Sequence, residues 1–319
     1  MSKILLVRLS SMGDIINAMP AVTDMAQAMP GLKLDWVVED SFQTLPRLHP
    51  AVDRIIPVAL RRWRKSPLSG TSWREFGAAR NALAQEPYDL ILDVQGLLKS
   101  VFFARMARGP IAGPDRHSAR EGLAALAYQK SYPIVWHQHA IQRVRKLAAQ
   151  AFDYPLPVNI NYGLARPDIT LSWLPASSYA VLLTATSRPE KEWPEARWIS
   201  LGQHFAAQGL ACVLPWGNAQ EQARAERVAK GIPNAVVAPK MALDAAATLL
   251  ADARIVVGVD TGLAHLAAAM ATPVVAVFLA SDPVENGVLA STYAVNVGHN
   301  GASPEVHEVW QAVVAGMRA

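Results

Sequence analysis

The stretch VGVDTGLAHLAAAMATPVVAV, residues 257–277, joins an apolar strand to a helix of small residues through a polar turn. The turn consists of Asp260, Thr261 and Gly262, and His265 follows about one helical turn later. Such a joint directs free backbone N–H groups and the positive end of the helix dipole at one point, which favours a bound phosphate. The stretch therefore predicts an anion site where the strand ends, although a lone histidine on such a helix is more often packed and hydrogen-bonded.

Apolar runs alternate with helix-length amphipathic runs along the whole chain, which predicts an α/β fold with parallel sheets. In the first half, the predicted strands are KILLVRL, KLDWVV, DRIIPV and DLILDV, and the predicted helices cover about 14–29, 73–86, 97–107 and 137–151. In the second half, the predicted strands are YAVLLTA, GLACVLPW, NAVVAP, ARIVVGV and PVVAVFL, with helices that begin near Pro194, Ala219, Leu243 and Gly262.

A chain of 319 residues exceeds the usual size of a single hydrophobic core, so we expect two domains. The proline-rich segment 153–178 has no helical period and is a natural connection between them. We predict domains at 1–165 and 166–303, with a last helix at about 304–319 that packs back on the first domain.

The composition excludes several classes of protein. Hydrophobic residues make up 51% of the chain and charged residues 18%, which is typical of a globular protein. No apolar run approaches the ~20 residues that cross a bilayer, and Lys3 and Arg8 interrupt a signal-like start. The single cysteine, Cys212, lies in an apolar run and is expected to be buried and inert. These features predict a cytoplasmic protein.

The charge is distributed unevenly between the halves. Residues 1–160 carry 20 Lys and Arg against 13 Asp and Glu, whereas residues 161–319 carry 10 against 13. The basic half predicts an anionic partner. The chain has no helix-turn-helix, zinc-finger or RNP-like motif, so a small anion or a lipid surface fits better than nucleic acid.

Four cations within five residues surround Trp63 in the segment ALRRWRKSPLSG. A solvated loop would explain them, but the aromatic residue among cations favours a docking surface for carboxylates, phosphates or lipid headgroups. These cations are Arg61, Arg62, Arg64 and Lys65, and a second basic segment adds Arg116, His117, Arg120 and Lys130.

The turn after the first strand contains Gly13 and Asp14 but neither a G-x-G-x-x-G nor a Walker A motif, which disfavours a dehydrogenase. Asp14 lies where a helix starts, so it is either an N-cap or a group at a ligand site.

Donor-rich turns also follow the strands of the second half. They contain hydroxyls and cations suited to phosphate oxygens, an acid suited to ribose hydroxyls, and a methionine that could face an adenine. The residues concerned are Thr186, Ser187, Arg188, Lys191, Glu221, Lys240 and Met241. Metal binding is not predicted, because the chain has one cysteine, no H-x-x-x-H pair and no D-x-D motif.

Over nearly its whole length the chain resembles the ADP-heptose:lipopolysaccharide heptosyltransferases. The resemblance is carried by SSMGDI, DWVVED, IPVALRRWRK, LDVQGLLKS, QHAIQRVRKL, ATSRPEKEWPEARW, LPWG, PKMAL and VDTGLAHLAAA. RRWRK together with QGLLKS is typical of type I members. The resemblance implies the GT-B architecture, two facing Rossmann-like domains with the active site in the cleft between them. It also implies metal-independent, inverting transfer of heptose from ADP-L-glycero-β-D-manno-heptose to the first Kdo of Kdo2-lipid A, at the cytoplasmic face of the inner membrane.

The resemblance assigns roles to individual residues. It makes Asp14 the catalytic base. It implies donor contacts at Thr186, Ser187, Lys191, Glu221, Met241, Asp260, Thr261, Gly262 and His265, with Lys191 also placed in catalysis. It implies acceptor contacts at Lys65 and Arg120, to which the charge pattern adds Arg61, Arg62 and Arg64. The segment FLASDPVENG departs from the family pattern, so Ser281 and Asp282 receive no role.

Two alternatives remain open at this point. One is a type II heptosyltransferase or another nucleotide-sugar glycosyltransferase. The other is a non-catalytic nucleotide-binding or lipid-surface adaptor, which would have no use for the Asp14 carboxylate.

Overall fold

Two parallel six-stranded sheets organise the chain, one in each of two units, Met1–Ala165 and Arg166–Ala319. The computed structural model describes residues 2–186 and 188–319, so the predicted contact Ser187 lies outside the described residues. The division between the units lies within the proline-rich segment 153–178.

The first sheet has the strand order β3-β2-β1-β4-β5-β6, the doubly wound order of Rossmann-like folds. Its strands are β1 Lys3–Val7, β2 Lys33–Glu39, β3 Val52–Val58, β4 Leu90–Asp93, β5 Ile111–Pro114 and β6 Lys130–Tyr132. The helices of this unit are α1 Met12–Ile16, α2 Met19–Ala28, α3 Thr44–Arg47, α4 Leu60–Lys65, α5 Gly70–Ala84, α6 Leu98–Ala104 and α7 Ala140–Phe152, with 3-10 turns at Asp40–Phe42 and Gly122–Ala127.

The second sheet repeats this order, read from its other edge as β9-β8-β7-β10-β11-β12. Its strands are β7 Tyr179–Leu183, β8 Ala211–Leu214, β9 Val236–Val237, β10 Ile255–Val259, β11 Val274–Val277 and β12 Ala294–Val297. The helices are α8 Glu195–Ala207, α9 Ala219–Lys230, α10 Leu243–Ala251, α11 Gly262–Ala269, α12 Pro283–Asn286 and α13 Val306–Arg318, with a 3-10 turn at Pro189–Lys191.

The central strands form the core of each unit. In β1 the side chains of Ile4 to Val7 are fully buried, as are those of Ile255 to Val257 in β10. Strands that helices cover on both faces read as continuous apolar runs, which is why the sequence shows them clearly. In each sheet the strand order reverses beside the first strand, and open α/β folds bind ligands at the carboxyl ends of the strands at this point.

Two predicted elements differ from the observed ones. The single helix expected over 14–29 is two helices, because the first ends at the C-cap Asn17 and the second starts with Pro20 in its first turn. The last helix, expected on the first unit, belongs to the second, where Val309 and Val313 are fully buried in the core and Trp310 packs edge-on against Phe205.

None of the helices in the described part of the chain is both long and apolar enough to cross a bilayer. Cys212 is buried in β8, and burial raises the pKa of its thiol to about 12, which fits the expected inert thiol.

Candidate active site

Asp260 connects three segments at the carboxyl end of the second sheet. It follows β10, which pairs with β7, so the segment after β7 lies beside it. The Lys191 Nζ donates to Asp260 Oδ2 at 2.5 Å, and the Ser281 hydroxyl donates to the same oxygen at 2.6 Å. The Thr186 hydroxyl donates to the Asp260 carbonyl at 3.2 Å. The structure thus brings Thr186, Lys191 and Asp260 together and adds Ser281, to which the sequence assigned no role.

Helix α11 begins directly after this network. Thr261 has the extended backbone of an N-cap residue, and Gly262 is the first helical residue. The start of this helix presents free N–H groups and partial positive charge. His265 is only 5% exposed and packs within the unit, so its part in donor binding stays a prediction.

The turn after β8 is closed by its own side chains. The Glu221 carboxylate accepts from the Gly217 N–H at 2.8 Å and from the Asn218 side-chain amide at 2.7 Å. Asn218 in turn accepts from the Glu221 N–H at 3.0 Å, as an N-cap does. A ribose hydroxyl at Glu221 would therefore share this carboxylate with the turn. Met241 lies half-buried just before α10, at the same edge of the sheet.

A pocket of about 330 Å³ opens beside this turn. Its lining residues are Thr186, Pro189, Glu192, Asn218, Gln220, Glu221, Arg224 and Arg227. The Arg224 guanidinium donates to the Thr184 carbonyl at 3.0 Å and pairs with Glu192 at 3.1 Å, so it fixes the segment after β7. The volume is within the range of small-molecule sites. Within residues 2–186 and 188–319, no three His, Cys, Asp or Glu side chains are grouped so as to hold a metal ion.

In the first unit, the Asp14 carboxylate lies in the first turn of α1, after β1. One oxygen accepts from the Ser11 N–H and the Ser11 hydroxyl, both at 3.0 Å. The other pairs with the Arg8 guanidinium at 2.6 Å, and the Asp14 side chain is 16% exposed. The plainer interpretation of Asp14 as the N-cap is therefore wrong: Ser11 is the N-cap, and Asp14 is the third helical residue, whose carboxylate accepts from the Ser11 N–H in a capping box and remains partly open to solvent.

The pKa of the Asp14 carboxyl lies below its ordinary value of 3.8. Burial is the largest influence and would raise this pKa, but the charges of Arg8 and Arg120 and the two Ser11 hydrogen bonds outweigh it. Asp14 is thus ionised at neutral pH. The effect of Arg120 also shows that this predicted acceptor contact lies near the carboxylate.

Two side chains, one in the turn after β4 and one in the first turn of α6, complete this edge of the first sheet. Gln95 accepts from the Leu9 N–H at 2.8 Å and donates to the Ser10 carbonyl at 3.3 Å, so it fixes the backbone after β1. Lys99 donates to the Ser10 hydroxyl at 3.2 Å, and burial and the nearby Arg61 charge lower the pKa of its ammonium. Neither residue was predicted from the sequence. The one available signal was that QGLLKS follows the strand that pairs with β1.

The basic helix α4 differs from the expected docking surface. Trp63 is not an exposed aromatic: it is 9% exposed, belongs to the core, and donates from Nε1 to Glu75 at 2.8 Å. Arg62 is paired with Asp40 at 3.1 Å and with Glu75 at 3.0 Å. Within the described chain, the exposed cations of α4 without an ion pair are Arg61, Arg64 and Lys65.

Comparison with known proteins identifies the family. The profile of glycosyltransferase family 9 (heptosyltransferase) matches residues 76–312. Lipopolysaccharide heptosyltransferase 1 of Pseudomonas aeruginosa is 47% identical over 286 residues, which cover 88% of this chain and 79% of that protein.

Solved structures give the same result. The Escherichia coli heptosyltransferase WaaC with ADP is 40% identical and has a TM-score of 0.91, covering 98% of this chain and 99% of that one. WaaC with ADP-2-deoxy-2-fluoro heptose has a TM-score of 0.87 at the same identity and coverage. The profile match over most of the length and the similarity to WaaC agree with the two Rossmann-like sheets and with the hydrogen-bond donors at the edge of the second sheet. The chain belongs to glycosyltransferase family 9, the heptosyltransferases.

Proposed function

We propose that this protein transfers L-glycero-D-manno-heptose from ADP-heptose to the first Kdo of Kdo2-lipid A, with inversion at the anomeric carbon, in the synthesis of the lipopolysaccharide inner core. The observation that carries this proposal is the 47% identity to a heptosyltransferase 1, combined with an ionised carboxylate after β1 and a cation beside the start of α11.

The second unit binds the donor in this proposal. The N–H groups at Thr261 and Gly262 and the Lys191 ammonium offset the charge of the ADP diphosphate, which grows as the sugar leaves. Lys191 exchanges part of its contact with Asp260 for a phosphate oxygen, and Ser281 keeps Asp260 hydrogen-bonded meanwhile. The donor complex of WaaC supports this choice of ligand. No metal or cofactor takes part in the proposed reaction.

The first unit binds the acceptor and supplies the base. Asp14 accepts the proton of the acceptor hydroxyl as that oxygen attacks the anomeric carbon. Arg61, Arg64, Lys65 and Arg120 are exposed cations that fit the carboxylates of Kdo and the phosphates of lipid A. We place the protein in the cytoplasm, attached peripherally to the inner membrane, because such an acceptor is anchored in a bilayer.

Release of ADP from ADP-heptose tests the proposal. The purified protein should release ADP when Kdo2-lipid A is added and should release none without the acceptor. EDTA should leave the rate of release unchanged. Turnover only with an acceptor that already carries one heptose would indicate a type II enzyme. Binding of ADP-heptose with no release under any of these conditions would indicate a non-catalytic adaptor.

A further inference from the structure

A row of aromatic rings in contact with one another leads from the core of the first unit to its surface. Trp63 and Phe103 are buried, and both lie next to rings that face outward. The centroids of Phe76 and Phe102 are 6.2 Å apart in a stacked arrangement, and Trp73 packs edge-on against Phe76 at 6.2 Å. The outer end of this row lies on α5 and α6.

Large apolar side chains are exposed at this outer end. Trp73 is 64% exposed, Phe102 49% and Leu98 50%, and Leu68 in the loop before α5 is 94% exposed. Leu98 and Phe102 are four residues apart on α6 and therefore share one face of that helix. We call these four residues the aromatic ridge. A group of large apolar side chains on the surface of a soluble unit marks an interaction site.

The ridge adjoins a strongly cationic segment. Residues 60–80 contain six Arg and Lys against one Glu, and that glutamate is occupied by Arg62 and the Trp63 indole. Arg64 and Lys65 form no ion pair within the described residues and are exposed. Trp63 of this basic helix packs edge-on against Phe76, which lies beneath the ridge. The surface therefore combines exposed aromatic groups with uncompensated positive charge.

We propose that the aromatic ridge inserts into the interface of a bilayer containing anionic phospholipids, with the cations of α4 against the headgroups. Tryptophan and other amphipathic aromatic groups prefer the headgroup level of membranes, and each nearby Lys or Arg adds attraction to an anionic leaflet. A partner protein with a matching apolar groove would gain little from the surrounding unpaired cations, whereas an anionic bilayer uses both features at once.

This inference rests on the proposed function in one respect, the placement of the acceptor in a membrane, but binding to lipid can be measured without any reaction. The probe is phosphatidylcholine vesicles with about one third phosphatidylglycerol, and without acceptor or donor. The full chain should sediment with these vesicles, bind pure phosphatidylcholine much more weakly, and lose binding as salt rises from about 0.1 to 0.5 M.

The double variant Trp73→Gln/Leu98→Gln tests the ridge directly. It should bind the anionic vesicles at least about tenfold more weakly, because it removes the apolar surface that would enter the interface. Its heptose transfer to a soluble, deacylated Kdo acceptor should match that of the unaltered protein. The matched control is Val158→Gln/Val284→Gln, which removes exposed valines elsewhere, at 94% and 71% exposure, and should leave vesicle binding unchanged.

Several results would overturn the proposal. One is vesicle binding by the ridge variant equal to that of the unaltered protein. Another is binding only when the vesicles contain Kdo2-lipid A, which would make the ridge a contact for acceptor acyl chains. A dimer that the ridge variant disrupts, without vesicle binding, would make it a self-association face. If ADP release with Kdo2-lipid A is absent in the unaltered protein while vesicle binding is intact, the proposed function fails and the ridge proposal stands.

Discussion

At the scale of single residues, the contact between Asp260 and Lys191 explains why an aspartate begins the Asp-Thr-Gly turn at residues 260–262. The carboxylate accepts from Lys191 and Ser281, which holds the ammonium at the start of α11 before any phosphate is bound. The Lys191 side chain is 15% exposed, so its charge is poorly screened by water. A positive group fixed in advance stabilises charge that develops on a leaving diphosphate without having to reorganise.

Replacing Lys191 by Ala should lower kcat/KM for ADP-heptose by about 10²–10³, the scale of one lost charge-stabilising donor. Steady-state kinetics of the variant give this value. Lys230→Ala is the matched control. Lys230 is an exposed cation in the last turn of α9, at the end of that helix remote from the carboxyl edge of the sheet. A loss under about threefold for Lys191→Ala would reduce this residue to a structural partner of Asp260.

Part of the site could be predicted from residue types and their spacing. Asp260 directly follows β10, and Asp14 and Lys191 lie in the segments that follow β1 and β7, so a parallel sheet places each near a carboxyl edge. Ser281 contacts Asp260, and Gln95 and Lys99 contact the backbone and hydroxyl of the segment before Asp14. All three come from segments distant in sequence, and only the strand order reveals that proximity. The burial of Trp63 also could not be predicted, because a basic segment with one aromatic residue fits an exposed loop as well as an amphipathic helix.

At the scale of elements, His49 links α2 to the turn before β3. Its Nδ1 accepts from the Ala51 N–H at 3.1 Å, so the proton of the neutral ring is on Nε2, which lies 2.9 Å from the Thr23 hydroxyl. Burial lowers the pKa of His49 to about 4. A second proton on the ring would face the Ala51 N–H, which explains why the folded state resists protonation.

The free energy of unfolding should therefore fall as the pH falls from 6.5 to about 4, because in this window the unfolded chain binds a proton that the folded chain does not. The loss from His49 amounts to roughly 3 kcal/mol over the whole window. Urea unfolding of His49→Gln at pH 7 and pH 4.5 should show a smaller pH dependence than the unaltered protein. The exposed His307→Gln is the control and should leave the dependence as it is. An equal pH dependence in the His49 variant would contradict the account.

The strands that the sequence did not reveal are short and lack an apolar run. β5 reads IAGP, β6 reads KSY and β12 reads AVNV, and all three lie toward the edges of their sheets. Such strands are specified by pairing with a neighbour, as β5 is by β4, rather than by their own composition. The central strands, buried on both faces, carry their own signal and were predicted.

At the scale of the whole molecule, both units have the same strand order and both expose polar groups where their central strands end. The resemblance to the heptosyltransferases implies this repetition of two Rossmann-like domains. It does not predict the position of α13, whose apolar face could cover either sheet by pattern alone; burial of Val309 and Val313 in the second core decides it. The proposed chemistry is divided in the same way, with the base after β1 of the first unit and the donor contacts after β10 of the second.

The most direct test of this division is the single-turnover rate of heptose transfer by Asp14→Asn. Asparagine keeps one oxygen, which can accept from the Ser11 N–H, but it loses the ion pair with Arg8 and cannot take a proton at neutral pH. Ser11→Ala is the control, because it removes one hydrogen bond to the carboxylate and keeps the base. The rate should be about 10²–10⁴-fold lower for Asp14→Asn, with the affinity for ADP-heptose nearly unchanged and the variant still folded at the assay temperature, although its melting temperature falls with the loss of the Arg8 ion pair. The rate should be close to normal for Ser11→Ala. Transfer by Asp14→Asn at the unaltered rate, or a loss of rate that only follows a loss of folding, would show that Asp14 is a structural cap and contradict the account.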